Sequence, residues 1–302
     1  MVGSALVRNI KQSDKHNWIG ADRNQLDLRD RQAVFDFIGK TRPDAVIISA
    51  AKVGGILANS KFPVDFLSDN ILMQTNLLDA SYEYDVQRVV FLGSSCIYPK
   101  FTEQPIRPDS LMTAPLEETN EAYAIAKISG VKLVQAYRRQ YGKSWISIMP
   151  TNLYGPGDNY HLENSHVIPA IVRKISDAKN QGEKTVSLFG TGRPLREFLH
   201  VDDLASGVMI ALEHFDDGVP LNIGSGEEIS IKNLAEMIAE LSSYKGQLNW
   251  DTSRPDGTPR KLLDSSNIRS LGWKPAISLE QGLRGEIEEY ETQALQAKSE
   301  HR

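Results

Sequence analysis

Arg88-Val89-Val90-Phe91-Leu92-Gly93 runs without interruption into Ser94-Ser95-Cys96-Ile97-Tyr98-Pro99. A continuous apolar run of this length, ended by a glycine and two serines, reads as a parallel strand buried on both faces and stopped at a turn. Two further runs have the same character: Ala45-Val46-Ile47-Ile48-Ser49-Ala50-Ala51 upstream and Ser144-Trp145-Ile146-Ser147-Ile148-Met149-Pro150 downstream. Between them lie residues 66–84 and 122–141, each long enough for a crossover helix. Strands that alternate with helices in this way predict an α/β fold.

The architecture expected is a doubly wound parallel sheet of the Rossmann type, with a smaller C-terminal α/β domain for substrate. After Pro150 the pattern loosens into a Gly/Pro/Asn-rich stretch, residues 151–164, which reads as loop. Helical patterns at 166–179 and 231–241 then frame short strand candidates. The expected nucleotide-binding domain is 1–164, rejoined by 199–226. The expected substrate domain is 165–198 with 227–292, and 293–302 forms a polar tail.

The 302 residues carry a net charge of −5, with 40% hydrophobic and 24% charged residues. That balance suits a globular protein and offers no basic footprint for nucleic acid. A single cysteine rules out an intramolecular disulfide and points to a reducing compartment. No apolar run reaches the ~18–20 residues of a membrane span, and no signal peptide opens the chain, so a cytoplasmic location is expected. The six histidines never fall in a His-x-x-x-His pattern, and lone Cys96 cannot anchor a thiolate site, so no metal is expected.

Tyr123-Ala124-Ile125-Ala126-Lys127 sets a phenol and an ammonium four residues apart, on one helix face. A phenol titrates near ~10, and an adjacent ammonium is expected to lower that value, making Tyr123 a proton donor to a carbonyl oxygen as hydride reaches its carbon. By itself the pair is a weak signal and reads as a surface contact. About thirty residues upstream, however, Ser94 sits just past a parallel strand's carboxyl end, where open α/β sheets place their ligands. Its bland reading is a turn cap. Ser94, Tyr123 and Lys127 together make a candidate redox site.

These residues resemble the extended short-chain dehydrogenase/reductase family. The resemblance runs along nearly the whole chain, through Asn76-Leu77-Leu78, the Ser-Ser turn, Tyr-x-x-x-Lys, Pro150-Thr151-Asn152-Leu153-Tyr154-Gly155-Pro156 and Arg196-Glu197-Phe198-Leu199-His200-Val201-Asp202-Asp203. Four more stretches are similar to one branch of it: Ala50-Ala51-Lys52-Val53-Gly54-Gly55-Ile56, the Ser94–Lys100 turn, Asn164-Ser165-His166-Val167-Ile168-Pro169 and Pro255-Asp256-Gly257-Thr258-Pro259-Arg260-Lys261.

The resemblance implies a two-part reaction on a GDP-sugar, GDP-4-keto-6-deoxy-D-mannose: epimerisation at C3 and C5, then reduction of the C4 ketone by NADPH. Protons at C3 and C5 flank a ketone, so their removal gives an enolate that Tyr123 and Ser94 could hold. The resemblance assigns Cys96 and His166 to the proton transfers. Alone, Cys96 reads as a small buried hydrophobe and His166 as a cap. In reduction Tyr123 is the acid, Lys127 tunes it and holds the ribose, and Ser94 orients the carbonyl. Lys174 and Arg196 are implied diphosphate partners, Phe189 a stacking group near the nucleotide, and Asp264 a further nucleotide contact. Arg193 and Lys261 read equally well as solvated charges. A homodimer through the helices carrying Tyr84 and Tyr123 is implied as well.

For the cofactor, NADP(H), the resemblance implies contacts from Gly3, Arg23, Leu28, Ser94, Lys127, Pro150, Asn152, Leu153 and His166. A Rossmann unit opens with a strand and a glycine-rich turn. Met1-Val2-Gly3-Ser4-Ala5-Leu6-Val7-Arg8 matches only the last part of such a turn and the helix after it, so the first strand and earlier glycines are expected to belong upstream. A second strand is expected to end near Ile19-Gly20-Ala21-Asp22-Arg23. There Asp22 would favour the ribose hydroxyls of NAD, and Arg23 the 2′-phosphate of NADP. Two alternatives stay open: another sugar-nucleotide epimerase or dehydratase, and a non-catalytic nucleotide-binding relative.

Overall fold

The computed structural model describes residues 1–13, 15–161, 165–254 and 256–300. Asn164 and Pro255 of the quoted motifs, and the last two residues of the tail, lie outside them. The chain begins with α1 (Val2–Ser13), α2 (Arg31–Thr41), β1 (Ala45–Ile48), α3 (Ile56–Lys61), α4 (Pro63–Glu83) and β2 (Arg88–Leu92). It continues through α5 (Glu121–Tyr141), β3 (Ile146–Pro150), β4 (Asn152–Tyr154), α6 (Val167–Gln181), β5 (Thr185–Phe189), β6 (Leu195–His200) and α7 (Val201–His214). The last elements are β7 (Leu221–Ile223), β8 (Glu228–Ser230), α8 (Ile231–Leu241), β9 (Gln247–Asp251), β10 (Arg260–Lys261), α9 (Ser266–Ser270) and α10 (Leu279–Glu300).

The three apolar runs become neighbours. β1, β2, β3 and β7 form one parallel sheet in that order, with Val90 opposite Ile146 and Ile148 opposite Leu221. Both faces are covered, which is why β2 and β3 carry apolar residues at successive positions. On one face Phe91, Val89 and Met149 pack with Leu78 of α4 and Val131 of α5. On the other, Val90, Leu92 and Ile146 pack with Leu6 of α1 and Leu204 of α7. A third core lies apart from the sheet: Ile171 and Ile175 of α6, Leu234 and Ile238 of α8, and Leu283 and Ile287 of α10. Around it run the mixed sheet β10-β6-β4, with β8 antiparallel to β6, and the parallel pair β5-β9.

The expected strand ending at 19–23 does not form. Residues 17–22 are irregular, with Trp18 44% and Ile19 60% exposed. Asp22 instead closes a turn, its carboxylate accepting from the backbone N–H of Asn24 and Gln25. A strand is stable only when its backbone groups find a neighbour, and none lies beside this segment among the described residues. No described helix is long and apolar enough to cross a membrane.

Candidate active site

Two close approaches set the centre of the site. Gly130 of α5 faces Phe91 of β2, and a Cβ there would enter the Phe91 ring. A Cβ at Gly93 would press on the end of the Met149 side chain. The helix therefore lies directly on the strand and carries Lys127 to its end. Lys127 is 3% exposed, and its Nζ donates to the Leu92 carbonyl at 2.7 Å.

One residue past Gly93, Ser94 caps a short 3₁₀ turn, Ser95–Ile97, with its Oγ accepting from the Cys96 N–H at 3.2 Å. This is the turn cap of the bland reading, and it does not remove the hydroxyl from the site. Tyr123, on the same helix as Lys127, is pushed up by burial and by nearby Cys96, with Ser94 pulling it back. Here the sequence expectation is corrected. Lys127 is itself pushed down to about 7 by burial, so desolvation outweighs the ammonium's effect on the phenol. Its Nζ stands 6.0 Å from the Tyr123 ring centroid.

Cys96 is partly exposed. Its Sγ receives Asn120 Nδ2 at 3.3 Å and Lys261 Nζ at 3.8 Å. Neither partner was among the expected site residues. Lys261 is paired in register with Arg196 across β10 and β6, and Arg196 Nη2 reaches the Asp256 carbonyl at 3.5 Å. The Asp256 carboxylate in turn holds Thr191 through its N–H at 2.7 Å and its hydroxyl at 2.8 Å. Phe189, two residues earlier, has Lys174 Nζ 4.0 Å and Arg254 5.3 Å from its ring centroid. A continuous strip thus leads from Tyr123 past Cys96, Lys261 and Arg196 to Phe189 and Lys174.

Burial pushes both Lys174 and Arg196 down, and neither forms a salt bridge among the described residues. Carboxylates act on them only at a distance, Asp251 on Lys174 and Asp256 and Glu117 on Arg196, and desolvated cations of this kind are suited to a diphosphate. Asp264 is engaged locally: its Oδ1 accepts from the Ser266 N–H at 2.9 Å.

His166 caps α6 with extended backbone and makes no side-chain cap bond. The residue as a whole is exposed, yet its ring is surrounded closely enough that desolvation lowers its pKa. Gly55, before α3, lies against the adjoining Ser165 carbonyl, 2.8 Å from where a Cβ would stand. Ser165 Oγ and Asn120 Oδ1 are buried without a partner among the described residues, one beside His166 and the other at Cys96. Such unspent polar atoms suit a polyhydroxylated ligand.

The residues expected at the cofactor are spread more widely. Pro150 ends β3 in the core, and Leu153 packs against the α1–α7 side of the sheet. The Asn152 amide donates to the Glu197 carbonyl at 2.8 Å, and Leu28 packs under α2 and α4. Gly3, on the first turn of α1, faces Ser49 Oγ at 3.4 Å from a built Cβ, so this helix start approaches the end of β1. Arg23 lies exposed in the Asp22 turn. A dinucleotide fits the centre of this arrangement on one observation above all. Lys127 spends one N–H on Leu92, and the other two have no protein acceptor among the described residues.

A parallel sheet whose second strand leads into Ser94, overlaid by a helix bearing Tyr123 and Lys127, defines a nicotinamide-dependent enzyme of the extended short-chain class. The chain belongs to the NAD dependent epimerase/dehydratase family, which matches residues 1–224. It is 52% identical over 283 residues to GDP-L-fucose synthase 1 of Arabidopsis thaliana, covering 94% of this chain and 88% of that protein. A GDP-L-fucose synthetase from Naegleria fowleri bound to NADP superposes with a TM-score of 0.87 at 31% identity, over 96% of this chain and 92% of that one. A GDP-6-OMe-4-keto-L-xylo-heptose reductase from C. jejuni superposes with a TM-score of 0.90 at 32% identity, over 97% and 95%.

Proposed function

We propose that this chain is a GDP-L-fucose synthase, converting GDP-4-keto-6-deoxy-D-mannose to GDP-L-fucose with NADPH as reductant. The observation that carries the reading is Cys96. A simple ketone reductase needs the Ser–Tyr–Lys set alone, whereas here a thiol with two N–H donors stands two residues past Ser94. The similarity to curated synthases over most of both chains supports the same reading.

Lys174 and Arg196 hold the diphosphate, Phe189 stacks near the nucleotide, and Asp264 offers its free carboxylate oxygen. With the C4 ketone oxygen between Ser94 Oγ and Tyr123 Oη, a proton leaves C3 or C5 to one of Cys96 and His166, and the other returns one on the opposite face. Ser94 and Tyr123 stabilise the enolate oxygen in between. Bound NADPH supplies the hydride that reaches C4. Tyr123 gives its proton to the C4 oxygen, and Lys127 holds the ribose beneath it. Overall one keto-sugar, one NADPH and one proton give the 4-hydroxy sugar and NADP⁺.

Residues 1–164 with 199–226 serve the dinucleotide, and 165–198 with 227–292 serve the GDP-sugar. Gly3, Arg23, Leu28, Pro150, Asn152, Leu153 and His166 belong to the cofactor's surroundings, Arg23 taking the 2′-phosphate. A homodimer through α4 and α5 is supported by their exposed apolar residues Val64, Leu72, Ile125 and Tyr141. The single cysteine supports a cytoplasmic location. The test is NADPH oxidation with GDP-4-keto-6-deoxy-D-mannose against the UDP- and dTDP-linked keto-sugars. Turnover confined to the GDP sugar is expected, and equal or greater turnover of another would overturn the assignment.

A further inference from the structure

Lys261 occupies an unusual place for an ammonium. It is half-buried on the two-residue strand β10, directly in register with the guanidinium-bearing Arg196 of β6. It forms no salt bridge among the described residues, and its one hydrogen bond goes to Cys96 Sγ at 3.8 Å. Two cations side by side, neither in salt-bridge contact with a carboxylate among the described residues, repel each other, and Asp256 and Glu117 offset this only at a distance and only at Arg196. The diphosphate would answer for Arg196. Lys261 is turned to the sulfur, as is the Asn120 amide at 3.3 Å.

We propose that Lys261, assisted by Asn120, is a positioning residue that stabilises the thiolate Cys96 must become to accept a carbon-bound proton. The proposal deepens the reading of Cys96 as an acid/base group and rests on it. The groups facing the sulfur come from several elements: Ser94 on its own turn, Asn120 and Tyr123 at the start of α5, and Arg196 and Lys261 on the β6–β10 ladder. Buried Glu117 lies near Arg196 and is paired with Lys100 at 3.1 Å, so its charge is already answered. Of the two cations, only Lys261 reaches the sulfur with a donor. When Cys96 returns its proton to carbon, the same ammonium holds the thiolate that remains.

Because Cys96 is the chain's one cysteine, alkylation reports on this sulfur alone. Iodoacetamide labelling of the full chain, followed by intact mass at pH 7, measures thiolate availability apart from turnover. Lys261→Met should slow labelling by about tenfold, the effect of one nearby charge on a titrating group. Lys261→Arg should restore most of it. Solvent deuterium entry at C3 and C5 of the substrate should fall in parallel. If Lys261→Met does not fold, Lys261→Gln gives the same test, since it removes the charge and keeps a polar side chain against the sulfur. Unchanged labelling with a raised KM would overturn the proposal and leave Lys261 as a phosphate contact. Slowed labelling with wild-type isotope entry would overturn it by another route, because Cys96 itself would then stand outside the mechanism.

Discussion

The Lys127 ammonium donates to the Leu92 carbonyl at 2.7 Å, joining the helix of Tyr123 to the last residue of the strand that leads into Ser94. This bond fixes the distance between the two halves of the Ser–Tyr–Lys set, and it places a cation where burial pushes it down to about 7.

A group held below its unfolded value costs the fold wherever it must stay charged. For Lys127 that cost is full at low pH and is relieved as pH rises from about 7 towards the ordinary lysine value of 10.5. Lys127→Met should therefore raise the melting temperature most at pH 6 and least near pH 10, while abolishing most reduction. Thermal scans across pH with parallel NADPH assays check both halves. A uniform loss of stability would show that the Leu92 bond outweighs the desolvation.

Glu286 carries the opposite sign. It is 1% exposed, takes a hydrogen bond from Tyr160 Oη at 3.0 Å, and is pushed up to about 7 by burial and by Asp158. Asp158 is itself pushed up to about 6 by burial. Their contribution is fully present below the unfolded values and lost as pH rises through about 6 and 7. The melting temperature should fall between pH 5 and 8, and Glu286→Gln should remove much of that fall. A variant with the wild-type pH slope would contradict this account.

Cys96→Ser separates the two half-reactions. Loss of a positioned acid/base group typically costs ~10²–10⁴ in rate, so deuterium entry at C3 and C5 should drop by that order. The Leu92–Lys127 bond and Tyr123 are untouched, so NADPH should still bind normally. Near-wild-type exchange would remove Cys96 from the proposed mechanism.

Arg23→Ala tests the cofactor assignment. A charge-assisted contact to phosphate contributes about 1.5–3 kcal/mol, or roughly ten- to a hundredfold in affinity. NADPH should weaken by that factor and NADH hardly at all. Equal weakening of both would make Arg23 a structural residue of the Asp22 turn.

The sheet was legible because β2 and β3 are buried on both faces and so carry uninterrupted apolar residues. Tyr123 and Lys127 were legible because four residues make one helical turn. The contact of Lys261 with Cys96 was not, since it depends on β10 finding β6 across a separation of 65 positions, from Arg196 to Lys261. Asn120 carried a weak signal, three positions before Tyr123 on the same turn. Arg254 carried none, because only tertiary packing lays it on Phe189. The strand expected near Ile19 failed for a related reason: apolar character and glycine punctuation do not make a strand without a pairing neighbour.

The central claim is that one site both epimerises and reduces. The most direct measurement is turnover of GDP-4-keto-6-deoxy-D-mannose with NADPH in D₂O, followed by mass and NMR analysis of the sugar. The account predicts deuterium at C3 and C5 with inverted configuration at both, and protium from NADPH at C4. A product reduced at C4 but carrying protium at C3 and C5 would contradict it, and would make the chain a ketone reductase alone.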